Sequence, residues 1–273
     1  MKVAIIGCGY IGYELAKDLF EKDYTITCTT KNPKSIEKLK KTTQKSIIMF
    51  GNDRNEMEII LNENDVIIIT IAASSSDEFE STYLETAKTI KACALETTSP
   101  KAIIYTSKTS IYGNHNGMWV DEASTLNAND DDAKILIDTE DTLSSLTKLG
   151  YKICILRLAQ IYGPGRDIKD LFKAIYKDVI PGHGDYYTNM VHQKDVVNAI
   201  SYAIEHKIEG IYNIADDDHP TRQDFANLIC SRLKLNPPKY DPKLADLPDR
   251  NKRVSNYRIK EKGFEFTYPH RSI

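Results

Sequence analysis

The residues best suited to chemistry lie at the very start of this sequence. Val3-Ala4-Ile5-Ile6-Gly7-Cys8-Gly9-Tyr10-Ile11-Gly12 spells Gly-x-Gly-x-x-Gly directly after an apolar run and ahead of a helical pattern. Three glycines in that setting can bind the pyrophosphate of a dinucleotide. The first permits a tight turn, the second lets the backbone approach the phosphates, and the third lets helix pack closely on strand. The N–H groups at the helix start then face the anion. Gly7, Gly9, Tyr10, Ile11 and Gly12 are therefore the expected pyrophosphate residues; three glycines in an ordinary turn are the bland alternative. The second strand should end at the adenosine ribose, where a carboxylate would take the 2′-hydroxyl of NAD. Here the chain reads Cys28-Thr29-Thr30-Lys31-Asn32-Pro33, with no acid. Hydroxyls and a cation suit a 2′-phosphate, so Thr30 and Lys31 favour NADP(H), with NAD(H) the alternative and a solvated surface lysine the plain one. Asn52 and Asp53 after the third strand could meet the adenine. Ala72 and Ala73 after the fourth leave room for a cofactor, and Thr106 on the fifth completes the set.

Four later segments add to the glycine motif. They are Tyr105-Thr106-Ser107-Lys108-Thr109-Ser110-Ile111-Tyr112-Gly113, Leu156-Arg157-Leu158-Ala159-Gln160-Ile161-Tyr162-Gly163-Pro164-Gly165-Arg166, Met190-Val191-His192-Gln193-Lys194-Asp195-Val196 and Gly210-Ile211-Tyr212-Asn213-Ile214-Ala215. Together they resemble the extended and atypical branch of the short-chain dehydrogenase/reductase superfamily, which contains NAD(P)-dependent nucleotide-sugar epimerases, dehydratases and reductases. The resemblance runs nearly the whole chain, down to Lys252-Arg253 and Gly263-Phe264.

The resemblance implies a Ser or Thr after strand five and a Tyr-x-x-x-Lys pair on the next helix, the tyrosine serving as acid/base while hydride moves to or from nicotinamide. A free tyrosine titrates near 10, so the neighbouring lysine is needed for work at neutral pH. This sequence departs from that pattern at the critical point. The hydroxyl position falls on Lys108, flanked by Ser107 and Thr109. If Lys134 matches the lysine, Asp130 replaces the tyrosine, and no tyrosine lies between Gly113 and Tyr151. Three readings stay open: Lys108 or Asp130 transfers the proton; Tyr112 or another aromatic does so; or the chain is a catalytically silent NADP(H)-binding redox sensor or scaffold. Lys108 could equally pair with an acid or a cofactor phosphate. By the same resemblance Thr109, Gln160, Arg166 and Arg253 are candidate substrate contacts, the two arginines for a phosphate unless they are solvated. His192 before a helical run reads as a packing or capping residue, and His183 between two glycines as a turn residue.

The elements that must position these groups follow from hydrophobic pattern. Short apolar runs at Val3–Ile6, Tyr24–Cys28, Ser46–Phe50, Val66–Ile71, Ala102–Thr106 and Tyr151–Leu156 read as strands covered on both faces. Helical stretches at Tyr10–Lys22, Pro33–Lys41, Asn55–Leu61, Glu78–Leu95 and Ala133–Lys148 separate them. Alternation of strand and helix predicts an α/β fold, a doubly wound parallel Rossmann sheet of six or seven strands. Beyond Gly163, Gly and Pro become frequent and the strands short. Residues 1–165 are expected to form the NAD(P)-binding domain and 166–273 a small α/β substrate lobe over the sheet's carboxyl edge, with 188–215 returning to the main sheet.

Composition narrows the partners. The chain has 273 residues, 41% hydrophobic and 27% charged, with net charge −3; that suits a globular chain with its own core and gives no basic field for nucleic acid or an anionic membrane. No segment reaches the roughly 18 apolar residues of a membrane helix, and charged residues soon after Val3–Ile6 argue against a signal peptide. The five cysteines and six histidines show no metal spacing. Free buried thiols in a cytoplasmic protein are the expectation. A small-molecule substrate is expected, and a homodimer through the helices flanking strand five is plausible by resemblance.

Overall fold

The computed structural model describes residues 1–97, 101–128, 130–244 and 250–271. The chain begins β1 (Lys2–Ile6), α1 (Tyr10–Glu21), β2 (Thr25–Thr30), α2 (Ile36–Leu39), β3 (Lys45–Ile48), α3 (Arg54–Glu63), β4 (Val66–Ile69), α4 (Phe79–Ala94) and β5 (Ala102–Lys108). It continues with β6 (Trp119–Val120), α5 (Asp131–Ser144), β7 (Lys152–Leu158), β8 (Gln160–Tyr162), α6 (Ile168–Ile175), β9 (Val179–Pro181) and β10 (Met190–His192). Then come α7 (Gln193–Glu205), β11 (Gly210–Ile214), α8 (Arg222–Leu233), β12 (Lys239–Asp241), β13 (Arg253–Val254) and α9 (Tyr257–Glu261).

Seven strands form one sheet in the order β11-β7-β5-β4-β1-β2-β3. The pairings β1–β2, β2–β3, β1–β4 and β4–β5 are all parallel. The chain travels outward from β1 to β3, then crosses back to place β4 on the other side of β1. Open α/β sheets bind ligands outside the strand ends at such a reversal. The chain thus forms the doubly wound Rossmann sheet that its apolar runs predict. In β4 all four residues, Val66 to Ile69, are buried; since successive side chains point to opposite faces, both faces are covered.

Helix α1 buries Ile11, Leu15 and Leu19, a stripe at four-residue spacing. The helix expected over Pro33–Lys41 is shorter than its pattern: a 3-10 turn at Pro33–Ser35 leads into the single turn of α2. The Asn32 side chain accepts the Lys34 N–H, and the Thr43 hydroxyl bonds the Leu39 carbonyl, so local side chains compete with the helical ladder at both ends. The helix expected over Ala133–Lys148 ends as a 3-10 turn, Ser145–Leu149, closed by Gly150 at φ 84°.

The chain divides into two compact units. One joins Met1–Lys108, Asp131–Arg157 and Val197–Tyr212; the other joins Thr109–Asp130, Leu158–Val196 and Asn213–Ile273. The first holds a buried ion pair, Arg157 Nη2 to Glu140 Oε2 at 2.8 Å. The second has its own core of Tyr162, Ile168, Phe172, Met190, Ala226, Ile229 and Cys230, and three parallel two-stranded pairings, β8–β10, β9–β12 and β6–β13. Among the described residues no helix is long and apolar enough to cross a membrane.

Candidate functional site

The three glycines of the first unit are required for different reasons. Gly7 sits at φ +89°, and a Cβ there would lie 2.9 Å from the Ile71 Cα. At Gly12 a Cβ would lie 2.8 Å from the Gly7 carbonyl oxygen and 2.7 Å from Thr70 Oγ1. At Gly9 a Cβ would meet nothing within 4 Å. The protein's own packing thus demands Gly7 and Gly12, whereas Gly9 faces open space. Helix α1 starts at that space with Gly9 as its cap, no capping side chain and no acidic residue in its first turn. The positive end of the helix dipole meets no side-chain cap and no carboxylate there, which suits an anion.

Two threonines hold the turn from either side. Thr29 Oγ1 on β2 accepts the Gly7 N–H at 3.1 Å, and the Thr29 carbonyl accepts the Cys8 N–H at 2.8 Å. Thr70, just past β4, donates its hydroxyl to the Gly7 carbonyl at 2.9 Å. The expectation of five free thiols is corrected here: Cys8 and Cys28 form a disulfide, with Cα atoms 6.0 Å apart. The parallel register that pairs Ile5 with Cys28 lets the turn bring residue 8 back beside β2, a juxtaposition that a spacing of 20 residues does not reveal. Cys93, Cys154 and Cys230 are free and buried.

Other strand ends carry the remaining first-unit candidates. Thr30 Oγ1 accepts the Asn32 N–H, and Lys31 Nζ meets Glu78 Oε2 at 2.6 Å. The Lys31 hydrogen bond, with the Ser74 N–H second, holds the Glu78 carboxyl below its ordinary range. Asn52 is exposed, and the Asp53 side chain caps α3 by accepting the Glu56 N–H. Thr106 Oγ1 bonds the Ile69 carbonyl across to β4. Ala72 is exposed, whereas the Ala73 N–H reaches the Tyr83 hydroxyl at 3.4 Å. Lys108 Nζ lies 4.6 Å from the Phe79 ring centroid and 4.8 Å from that of Tyr83. Ala73 and Lys108, from different strand ends, thus both meet Tyr83 of α4, and Lys108 lies over Tyr83 and Phe79 in cation–π geometry.

In the second unit most candidates have partners. The Tyr112 hydroxyl, fully buried, donates to Asn213 Oδ1 at 2.7 Å, and Thr109 is buried. Asp130 Oδ2 meets Arg250 Nη2 at 2.6 Å. Arg253 Nε donates to the Gly117 carbonyl, and its guanidinium lies over Trp119 and Tyr187, 5.1 and 4.7 Å from their centroids. Gln160 pairs with Met190 between β8 and β10, and exposed Arg166 closes a tight turn with Gly163. Lys134 belongs to the first unit, on the surface of α5, paired with Asp131 one turn earlier. His192 Nδ1 accepts the Lys194 N–H at the start of α7, with burial holding the imidazole below its ordinary value; His183 stacks on Tyr186.

Residues 3–215 match the NAD dependent epimerase/dehydratase family. The chain belongs to that family. It is 31% identical to Protein YeeZ of Escherichia coli over 98% of this chain and 96% of that one. Among solved structures it is similar to UDP-glucose 4-epimerase of Thermotoga maritima, solved with UDP-glucose, at 22% identity and TM-score 0.82, covering 98% of this chain and 94% of that one. It is also similar to DesIV, a dTDP-glucose 4,6-dehydratase of Streptomyces venezuelae with NAD and TYD bound, at 17% identity and TM-score 0.81, covering 98% and 92%. Likeness at those identities establishes the fold.

Two features of this epimerase/dehydratase-family chain escape the sequence motifs. Thr29 and Thr70 tie the glycine turn to the two strands that flank β1, β2 and β4; a hydroxyl near the end of each strand is the only trace they leave. Phe79 and Tyr83, spaced four apart on α4, look like core residues, and only the sheet order sets Lys108 over them.

Proposed function

We propose that this chain is a dinucleotide-dependent oxidoreductase or epimerase acting on a nucleotide sugar or similar polar carbonyl compound, with NADP(H) as the favoured cofactor. The observation that carries the reading is Gly9: the one motif glycine whose missing side chain no protein atom explains, opening onto an uncapped helix start. The residues fit the group. Main-chain amides of the first turn of α1 would hold the pyrophosphate, and Thr29 and Thr70 fix the orientation of the glycine turn. Lys31 would take the 2′-phosphate by exchanging it for Glu78, and the absence of an acid after β2 removes the usual partner of an unphosphorylated ribose. A bound nicotinamide supplies hydride acceptance or donation. The proton is then left to the chain's own residues. Lys108 is the best-placed candidate, since its ammonium sits at the carboxyl end of β5 against two aromatic faces.

A second reading has its own support. Tyr112 is bound to Asn213, Asp130 to Arg250 and Lys134 to Asp131, so three of the four acid/base candidates are engaged elsewhere. That favours a catalytically silent NADP(H)-binding regulator. Titration with NADPH and NADH, followed by nicotinamide absorbance during incubation with NADP and a panel of nucleotide sugars, separates the two. Turnover that Lys108→Met abolishes supports the enzyme. Tight binding without turnover supports the regulator, and failure to bind either dinucleotide overturns both.

A further inference from the structure

Cys8 is the residue between the first two motif glycines, and Cys28 lies on β2 next to Thr29. Three links therefore join the phosphate-facing turn to β2: Thr29 Oγ1 to the Gly7 N–H, the Thr29 carbonyl to the Cys8 N–H, and the Cys8–Cys28 disulfide. Only the third can be made and broken by chemistry. Strand β2 is paired on both sides, to β1 and β3, so its position is fixed by ladders that a thiol reaction leaves intact. The turn carrying Cys8 belongs to no ladder, and apart from the disulfide it is held by the hydrogen bonds to Thr29 and Thr70.

We propose that Cys8 and Cys28 are a reversible thiol–disulfide site through which a small-molecule disulfide of the glutathione type sets the affinity of the glycine turn for dinucleotide. The inference rests on the dinucleotide reading above. In the forward direction the Cys8 thiol gives up its proton and attacks one sulfur of the external disulfide. The external S–S bond breaks, and the departing thiolate takes a proton. The Cys28 thiolate then attacks the Cys8 sulfur of the mixed disulfide and releases the second external thiol. Two cysteines lose two electrons and two protons, and one external disulfide becomes two thiols. Cys8 is the point of entry, at 6% exposure against 0% for Cys28.

Two unbonded sulfurs must stand farther apart than two bonded ones. With β2 held by its ladders, reduction displaces the Cys8 turn, and with it the main-chain groups that face the phosphates. Oxidation fixes that turn against Thr29 and preorganises it, so the oxidised protein binds dinucleotide more tightly. Linkage makes the effect reciprocal: a bound dinucleotide stabilises the disulfide and covers Cys8. The other cysteines do not compete. Burial pushes the Cys154 thiol up to about 12 and raises those of Cys93 and Cys230, which disfavours their reactive thiolates.

The test uses the full chain, oxidised with glutathione disulfide or reduced with dithiothreitol, titrated with NADPH by calorimetry. Loss of two hydrogens by intact mass, and a Cys8–Cys28 cross-link by peptide mapping, confirm the oxidised state. The expected result is NADPH affinity about fivefold or more higher when oxidised, a difference that Cys28→Ala removes. In the wild type, saturating NADPH should also slow reduction of the cross-link, a readout that needs no variant to fold. Equal NADPH affinity in two verified redox states overturns the coupling while leaving dinucleotide binding intact. Failure of the cross-link to form overturns the site, and absence of NADPH binding in both states removes the dinucleotide reading and the coupling with it.

Discussion

The glycine turn of the first unit and the C-terminal tail of the second use polar groups in opposite ways. Around Gly7–Gly12 the fastenings are neutral, two threonine hydroxyls and main-chain amides, and the start of α1 carries neither capping side chain nor acidic residue. In the second unit charges meet inside the protein. Arg271 bonds both oxygens of Asp216, the Thr188 hydroxyl and carbonyl, and the Asp218 carbonyl, with 2% of its own side chain and 0% of that of Asp216 exposed. Asp195 likewise accepts the N–H groups of Thr267 and Tyr268. A lobe with short strands and a modest core is held by charge satisfied internally. The glycine turn is held without any charged group.

The contrast breaks most visibly at Arg271. Replacing it by alanine leaves the Asp216 carboxylate buried without its partner, and unfolding in urea should report a loss of about 3–5 kcal/mol. Dinucleotide affinity should change far less than stability. Gly9→Val reverses that ordering. With no protein atom within 4 Å of the new Cβ, stability should stay within about 1 kcal/mol, whereas NADPH affinity should fall at least about tenfold, or 1.4 kcal/mol. A stability loss matching that of Gly12→Ala would show that Gly9 serves packing after all.

Gly12→Ala should cost about 1–3 kcal/mol by overpacking, because its Cβ would press on the Gly7 carbonyl and Thr70. Next in size is a pH effect. Burial pushes the Asp216 carboxyl up to about 6, with Arg271 offsetting only part of it. Between about 6 and the ordinary 3.8 the native state therefore binds a proton that the unfolded chain does not. Stability contributed by this group rises as pH falls through that window and is level above it. Measured against Asp216→Asn, the wild type should gain stability on going down that window; a difference independent of pH would refute the assignment. The smallest effect belongs to Glu78→Gln, which frees Lys31 from its exposed pair. Affinity for NADPH should rise at most a few-fold, because a surface ion pair is weak, and affinity for NADH should not move.

Much of the sheet is legible along the chain because β1, β4 and β5 each contain an apolar run, residues 3–6, 66–69 and 102–105, and a strand buried on both faces needs no other signal. Helix α2 is less so: Pro33 and the apolar positions Ile36 and Leu39 suggest nine residues, while Asn32 and Thr43 confine the helix to one turn. At the site, glycine spacing marks the turn but not what holds it. Thr29 and Thr70 sit 41 residues apart in sequence and meet Gly7 from opposite sides, and no local pattern encodes that meeting.

The amino-acid sequence by itself determines the period of its apolar residues and the places where side chains are absent, because burial and backbone freedom act over a few residues. That is enough for a Rossmann sheet and a glycine turn ahead of α1. Strand order alone decides that Cys8 bonds Cys28, that Lys31 meets Glu78, and that Lys108 rests on Phe79 and Tyr83. Each of these pairs joins different elements, so its distance is set by parallel ladders and crossovers that no short stretch of chain contains.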